Sequence, residues 1–347
     1  MKISVGGITM KINQRKIAQQ ANVSFSTVSR IFNGSSYVKP AMREKVIKAM
    51  EELGYPLDTL SLNACKKTNK FVLIVVGDVT SSFYVSILKG ICDVLVNYDM
   101  FAVLCNSGFD ASIEEKYIRH ANENNFVGII MITAVERSSF VQLLKNITIP
   151  VVLVNRYIRS MDLDVVCIDN HRGGYLATNY LIKNGHKRIA HIAGPSDSTA
   201  TQDRMRGFLD AMADSELYVG ENDIYYGDLT RESGYRIGMS ICNNINEYTA
   251  VFSCNEPMTF GLINCLIDNG FHVPKDLSII CFDDSPASAE GKVRLTTVSY
   301  DAYPLGETAA NTLIKRLSDK KTERVKIIYP PHMTIRDSVK SLIQEDL

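Results

Sequence analysis

Between residues 13 and 55 apolar side chains recur at helical spacing in three short groups: Ile17, Ala18 and Ala21; Val28 and Ile31; and Met42, Val46, Met50 and Leu53. The residues between them read as starts and stops. Asn13 can cap a first helix and Asn22-Val23-Ser24 makes a tight turn. Ser24 can then cap a second helix over Phe25 to Phe32, which Asn33-Gly34 ends. Pro40 suits the first turn of a third helix, and Gly54 stops it. Two short helices joined by a three-residue turn and braced by a third predict a helix-turn-helix.

After Lys70 the pattern changes to apolar runs of four to six residues alternating with longer amphipathic stretches. The runs are Phe71 to Val76, Phe101 to Cys105, Gly128 to Thr133, Val151 to Asn155, Ile189 to Ala193, Ala250 to Ser253 and Leu277 to Phe282. Helical patterns lie between them over Val85 to Asn97, Gly173 to Asn184, Thr199 to Ser215, Pro257 to Asn269 and Pro304 to Leu317. Continuous apolar strands alternating with helices predict parallel sheets covered on both faces, and this many units suggests two lobes rather than one sheet.

Composition adds an asymmetry. The 347 residues have a formal net charge of zero, yet residues 1 to 70 carry 12 basic and 4 acidic side chains while the remainder carries 26 basic and 34 acidic. A basic head on a mildly acidic body points to a polyanionic partner for the head. Apolar runs such as Phe71 to Val76 fall far short of the roughly 20 residues that span a bilayer, and Met1 to Met10 has no long apolar core, so a cytoplasmic protein with neither signal peptide nor membrane anchor is expected. The eight cysteines show no C-x-x-C and the six histidines no H-x-x-x-H. The thiols read as small buried hydrophobes, and neither metal nor cofactor is expected.

In the head, Val28 and Ile31 would face inward and leave Phe25, Ser26, Ser29 and Arg30 outward. Arg30 can reach guanine in bidentate fashion, Ser26 can bond either kind of base, and Phe25 can touch a thymine methyl. Asn13, Ser24, Thr27, Ser29 and Asn33 are short polar groups suited to phosphate oxygens. These features by themselves suit a DNA reader or a small three-helix domain with a solvated basic face. In the body, ligands of open α/β sheets bind beyond the carboxyl ends of strands. The residues there are Asp78 with Ser81-Ser82-Phe83-Tyr84, Thr133, Asn155-Arg156, Ser196-Asp197, Asn255-Glu256 and Asp283-Asp284. Carboxylates, amides, an arginine and an aromatic pair suit a polyhydroxylated or heterocyclic ligand. The run Lys315 to Lys326 reads as a solvated helix end.

The order of residues is more specific than their types. Ile17-Ala18, Ala21-Asn22-Val23-Ser24, Thr27-Val28-Ser29-Arg30, Asn33-Gly34, Tyr37-Val38 and Glu52-Leu53-Gly54-Tyr55 closely resemble the DNA-binding head of the lactose-repressor (LacI/GalR) family. The body resembles the same family's effector domain at Gly185-His186, Arg188-Ile189-Ala190, Ala193-Gly194-Pro195, Arg204, Gly207-Phe208, Val273-Pro274, Asp276-Leu277-Ser278, Phe282-Asp283-Asp284 and Leu295-Thr296-Thr297-Val298. The resemblance implies an all-α helix-turn-helix head, residues 11–56, plus an α/β two-lobed, periplasmic-binding-protein-like effector domain with parallel sheets, residues 71–340. The N-lobe would take about residues 71–168 and 298–327, and the C-lobe about 169–297 and 328–340.

Phe25, Ser26 and Arg30 fall on the family's base-reading positions. Effector contacts fall on Phe83, Tyr84, Thr133, Asn155, Arg204, Asn255 and Asp283. Residues 57–70 would form the hinge. There Pro56-Leu57-Asp58 replaces the family's Arg-Pro-Asn, and Ala64 takes the place of its minor-groove leucine, a role open to Leu60 or Leu62. Glu256 stands where the family has Asp. No G-x-S-x-G, P-loop or dinucleotide fingerprint occurs where a strand meets a helix, which argues against an enzyme. The expected function is a transcriptional regulator, a repressor, that binds operator DNA as a homodimer under control of a small-molecule effector, a sugar or sugar phosphate. The alternatives are a purine-responsive regulator or a soluble sugar-binding protein.

Overall fold

The computed structural model describes residues 2–5, 8–11, 13–32, 38–55, 70–319 and 321–343. It separates into two compact units, Met1–Lys70 and Phe71–Leu347.

In the first unit, strands Lys2–Val5 and Ile8–Lys11 pair antiparallel ahead of helices Gln14–Gln20, Phe25–Phe32 and Pro40–Glu52. The Asn13 side chain accepts the backbone N–H groups of Arg15 and Lys16 at 3.1 and 3.4 Å, which fixes the start of the first helix. Ile17, Val28, Ile31, Phe32, Val46 and Met50 close one small core. Met42 does not join it: it is exposed, and Ala49 fills the inner face of the third helix instead.

The second unit contains two six-stranded sheets. In spatial order the first is Lys326–Tyr329, Asp164–Ile168, Val151–Val154, Phe126–Met131, Lys70–Val76 and Met100–Asn106. The second is His332–Thr334, Thr296–Ser299, Ser278–Phe282, Ala250–Ser253, Ile189–Ala193 and Ile224–Tyr226. Only the pairing of His332–Thr334 with Thr296–Ser299 is antiparallel among those described in these two sheets. The continuous apolar runs have a direct cause. Val72, Ile74 and Val76 enter the core on one face of the first sheet and Leu73 and Val75 the core on the other, so every position from Val72 to Val76 is apolar.

The chain crosses between the sheets three times, after Ile168, after Ser299 and after Tyr329. At the second crossing Val298 and Ser299 still pair with Met333 and His332 of the second sheet. Helix Ala302–Ser318 returns to the first lobe and lies against helix Ser82–Val96. Glycines permit that approach: a Cβ on Gly90 would stand 2.3 Å from the Tyr303 carbonyl oxygen, and one on Gly306 2.1 Å from that of Ile87.

The charged run at the end of this helix is not wholly solvated, contrary to expectation. Arg316 is buried and grips the fully buried Asp164 at 2.8 and 2.9 Å, with Arg324 at 3.0 Å. Burial opposes ionisation of Asp164, but Arg316, the Val325 N–H and Arg324 outweigh it and hold its pKa below the usual carboxylate range.

Candidate functional site

Two surfaces carry chemistry, one in each unit. On the head, Val28, Ile31 and Phe32 anchor the second helix, so its opposite face is outward. Phe25 is 51% exposed, Ser26 and Arg30 are exposed, and Thr27 and Ser29 are half-buried. The Ser24 hydroxyl accepts the Thr27 N–H at 3.1 Å and lies 2.8 and 2.7 Å from the hydroxyls of Ser26 and Thr27. This knits the helix N-terminus, an anion-favouring end, into a row of hydroxyls. Asn13, at the start of the preceding helix, is exposed. Asn33 and the hinge candidates Leu60, Leu62 and Ala64 lie outside the described residues.

In the second unit a cleft between the lobes is lined by Phe83, Tyr84, Asn155, Arg204, Asn255 and Asp283, six of the seven residues expected there, with Asp78, Ser81, Phe109, Arg156, Ser198, Thr201 and Leu229. Thr133 lines an adjoining chamber instead. Helix Ser82–Val96 begins three residues before the apolar pattern indicated, which puts Phe83 and Tyr84 on its first turn. Tyr84 is buried and half-buried Phe83 meets it edge-on, centroids 4.8 Å apart. Asn155 and Asp283 each follow a strand in the left-handed backbone region, at φ +63° and +75°. Asn tolerates that region better than most residues, and for Asp283 the turn aims a carboxylate back over the sheet end.

Arg204 is the centre of the arrangement. It is 5% exposed, its guanidinium carbon stands 3.5 Å from the centroid of the Phe282 ring, and its Nε donates to Asn170 Oδ1 at 2.8 Å. Its Nη1 bonds the Cys254 carbonyl and lies 3.9 Å from Asp283. Burial pushes the Asp283 carboxyl up to about 6 against the pull of Arg204, with Glu256 adding to the rise and the Tyr300 hydroxyl, donating at 3.2 Å, opposing it. Asp284, its neighbour, turns away into a bidentate pair with Arg336. The Asn255 amide is largely committed at home: its Oδ1 caps helix Glu256–Asp268 at the Met258 N–H, and its Nδ2 donates to the Leu229 carbonyl at 2.9 Å. Asn155 Oδ1 is buried without a hydrogen-bond partner.

The lobes are held close. Arg137 of the first lobe pairs with Asp197 of the second at 2.6 Å, and Tyr157 donates to Asp203 at 2.9 Å while its backbone N–H bonds Thr199. The cleft at Arg204 encloses about 50 Å³, room for a few waters. Among the described residues no group of His, Cys, Asp and Glu could hold a metal ion, and no helix is long and apolar enough to cross a membrane.

Comparison with known proteins gives this geometry a setting. Residues 15–56 match the family described as bacterial regulatory proteins, lacI family, and residues 178–339 match the periplasmic binding protein-like domain. The HTH-type transcriptional regulator RegA of Clostridium saccharobutylicum is 31% identical over 95% of this chain and 99% of its own. The chain belongs to the lacI family. The HTH-type transcriptional repressor PurR of Vibrio parahaemolyticus is 30% identical over 94% of this chain and 98% of its own. A solved complex of the transcriptional regulator CelR with cellobiose is 28% identical, covers 94% of this chain and 100% of its own, and superposes with a TM-score of 0.72. As a lacI-family protein this chain is a DNA-binding transcriptional repressor with a ligand-binding effector domain. Members of the family bind operator DNA and small-molecule effectors and dimerise.

Sequence reasoning passed over Phe109, Leu229, Ser198 and Thr201. The strand-end rule would have reached Phe109 had it been applied after the run Phe101 to Cys105. There Gly108 and Phe109 both turn through positive φ and lay the ring against Gly77.

Proposed function

We propose that this lacI-family repressor senses a neutral carbohydrate, bound between the lobes, and passes its occupancy to a head that reads an operator half-site through Arg30, Ser26 and Phe25. The observation that carries the ligand class is the buried Arg204 and Asp283 pair beside Phe83 and Tyr84. An arginine and a carboxylate side by side offer donors and acceptors to adjacent hydroxyls, and an aromatic edge receives the apolar face of a sugar ring.

Charge supports a neutral ligand over a phosphorylated one: Arg156 and Arg204 on the cleft wall are balanced by Asp78 and Asp283. Phe83 is inclined at 72° to Tyr84 and 73° to Tyr300, so it forms no parallel-faced slot with either neighbour, which favours a sugar over a flat heterocycle. The cellobiose in the CelR complex is of the same class. In this reading the cleft binds without turnover, because Asp283 and Asp284 diverge and form no facing catalytic pair.

The protein works as a homodimer, each head reading half of a palindrome. Val85, Val96, Phe101 and Leu104 of the first lobe are apolar and exposed on neighbouring elements, an extent of apolar surface suited to a subunit contact. A thermal-shift and calorimetric screen of neutral sugars, sugar phosphates and purines tests the ligand class, because binding to the native state raises its melting point. A neutral sugar that binds and changes operator affinity supports the reading. A purine or a phosphorylated sugar as the sole binder overturns it.

A further inference from the structure

Away from the cleft, sulfur gathers at one place in the second lobe. Helices Arg231–Asn243 and Glu256–Asp268 lie side by side there. Gly238 lets them close up: a Cβ on it would stand 2.7 Å from Cys265 Cβ and 3.0 Å from Cys265 Sγ. One turn further along the same helix, Cys242 Sγ lies 4.0 Å from Cys265 Sγ. A third sulfur is at hand. Asn269 Nδ2 donates to the Cys265 carbonyl at 2.8 Å and stands 3.6 Å from Cys265 Sγ and 3.7 Å from Met239 Sδ. Met239 and Cys242 are three residues apart and so share a helix face. Met239 is 41% exposed, Cys242 half-buried and Cys265 buried, so the group grades from solvent into the lobe.

Two cysteines alone make no metal site, and the thioether beside them changes that. The 4.0 Å between the thiols is far beyond a bond between sulfurs, about 2 Å, and a disulfide would leave Met239 without a part. Metal–sulfur bonds of about 2.3 Å set about 120° apart hold two sulfurs about 4 Å from one another. Thiolates and thioethers select soft cations, copper(I) above all. Zinc takes four ligands, and among the described residues no imidazole or carboxylate completes such a set here. The two thiols come from different helices, 23 residues apart, which is why no C-x-x-C announces them.

We propose that Met239, Cys242 and Cys265 form a copper(I)-binding site on this helix pair. Cys242 and Cys265 bind as thiolates, each thiol releasing its proton to water, and Met239 adds its uncharged thioether by turning about its own flexible side chain. No electron is transferred. The bound cation ties the far ends of two helices whose near ends are already tied at the cleft, where the Asn255 amide donates to the Leu229 carbonyl at 2.9 Å. The site does not depend on what the cleft binds.

Anaerobic titration of the reduced, full-length protein against copper(I) held by bicinchoninate tests it. The parent should withdraw one equivalent of copper(I) more than Cys242→Ser or Cys265→Ser, and its melting temperature should rise on loading while theirs does not. Both variants keep the other six cysteines, so the difference excludes copper taken up elsewhere. Met239→Leu should weaken the withdrawal severalfold without removing it. A metal-free melting temperature close to the parent's shows that a variant is folded, and if Cys265→Ser fails that check, Cys242→Ser and Met239→Leu, nearer the surface, still decide. Equal uptake by the parent and Cys242→Ser would overturn the site, as would zinc(II) binding there in preference to copper(I). A Met239→Leu variant that binds as the parent does would overturn the three-sulfur assignment. A mass lower by about two hydrogens after exposure to oxidised glutathione, with no extra copper in the reduced parent, would overturn the metal in favour of a disulfide.

Discussion

The recognition helix and the cleft solve opposite problems with similar residues. Arg30 on the helix is exposed and has no hydrogen bond or ion pair among the described residues, whereas Arg204 in the cleft is 5% exposed and engages Asn170, Cys254, Asp283 and the Phe282 ring. A duplex brings its own field of charge and is read by side chains that reach out to it, and Arg30 stands exposed for such a contact. On the carbohydrate proposal, a small uncharged ligand brings no such field. The cleft must instead hold its polar groups dry and pre-aimed, which requires partners to keep a charge there at all. The price appears at Asp283, whose carboxyl sits at about 6 because burial outweighs Arg204.

If this contrast is right, removing each arginine has a different signature. Arg204→Ala should have the largest effect. Losing hydrogen bonds from a charged group, at about 1.5–3 kcal/mol each, should weaken effector binding on the order of 100-fold. Operator affinity in the absence of effector should persist, since the head is a separate compact unit. Calorimetry and a gel shift on the same preparation would show it, and an effector bound as tightly as before would remove Arg204 from the site. Arg30→Ala should cost about 1–3 kcal/mol at a single base pair of the operator and change the stability of the head by no more than about 0.5 kcal/mol. Val28→Ala, three positions into the buried face of the same helix, should do the reverse and destabilise the head by about 2 kcal/mol. Uniform loss across all operator variants would mean that Arg30 touches phosphate and not a base.

The same contrast governs what could be read from the sequence. The head was legible almost residue by residue because its recognition surface is local: helix periodicity decides which side chains face out. Met42 was the exception, apolar yet exposed, since spacing alone cannot say that Ala49 fills the third helix's inner face. In the body the alternation of strands and helices was visible, and the strand-end rule found Arg156, Asn155 and Asp283. The pattern was silent on strand Asp164–Ile168 and on helices Ala111–Glu123, Ser138–Lys145 and Arg231–Asn243. Partner choice was not legible either. The sequence favours Asp283 over Asp284 as a ligand contact but does not say where Asp284 goes, and only Arg336, some fifty residues on, shows that it is taken. Likewise nothing in the pattern showed that the Asn255 amide is shared between the distant Leu229 carbonyl and the Met258 N–H of the next helix turn.

Acidity should sharpen the comparison by about a factor of ten. Asp283 is neutral below about 6, and its ionised form is the one that accepts hydroxyl hydrogens. Effector affinity should fall about tenfold in all as pH drops from 7.5 to 5, while DNA binding should lack this step. The stability term runs the other way. A carboxyl whose folded pKa exceeds its unfolded value contributes fully below the ordinary value near 3.8, and that contribution is lost as pH rises through 6. Effector titrations at pH 7.5, 6 and 5 should show the loss of affinity, and a flat profile would mean that Asp283 does not accept from the ligand.

The smallest expected effect separates two roles that one head residue has been given. Asn13 caps the first helix through its Oδ1, which leaves its amide nitrogen free to meet a phosphate. Asn13→Ala removes both functions and should cost the head about 1 kcal/mol of stability. Asn13→Asp keeps the cap, since a carboxylate accepts the same two N–H groups and suits the helix N-terminus, but it removes the donor and adds a charge that phosphate repels. If Asn13 only caps, the Asp variant should melt as the parent does and bind DNA with nearly the same affinity and salt slope. If it also contacts phosphate, the Asp variant should keep its melting point, lose affinity on every sequence alike and leave base preference untouched. A melting curve and one salt titration per variant decide it. The outcome also tests the broader contrast, because a residue committed to its own fold through one atom and open to DNA through another would place the head's division between structure and recognition within a single side chain.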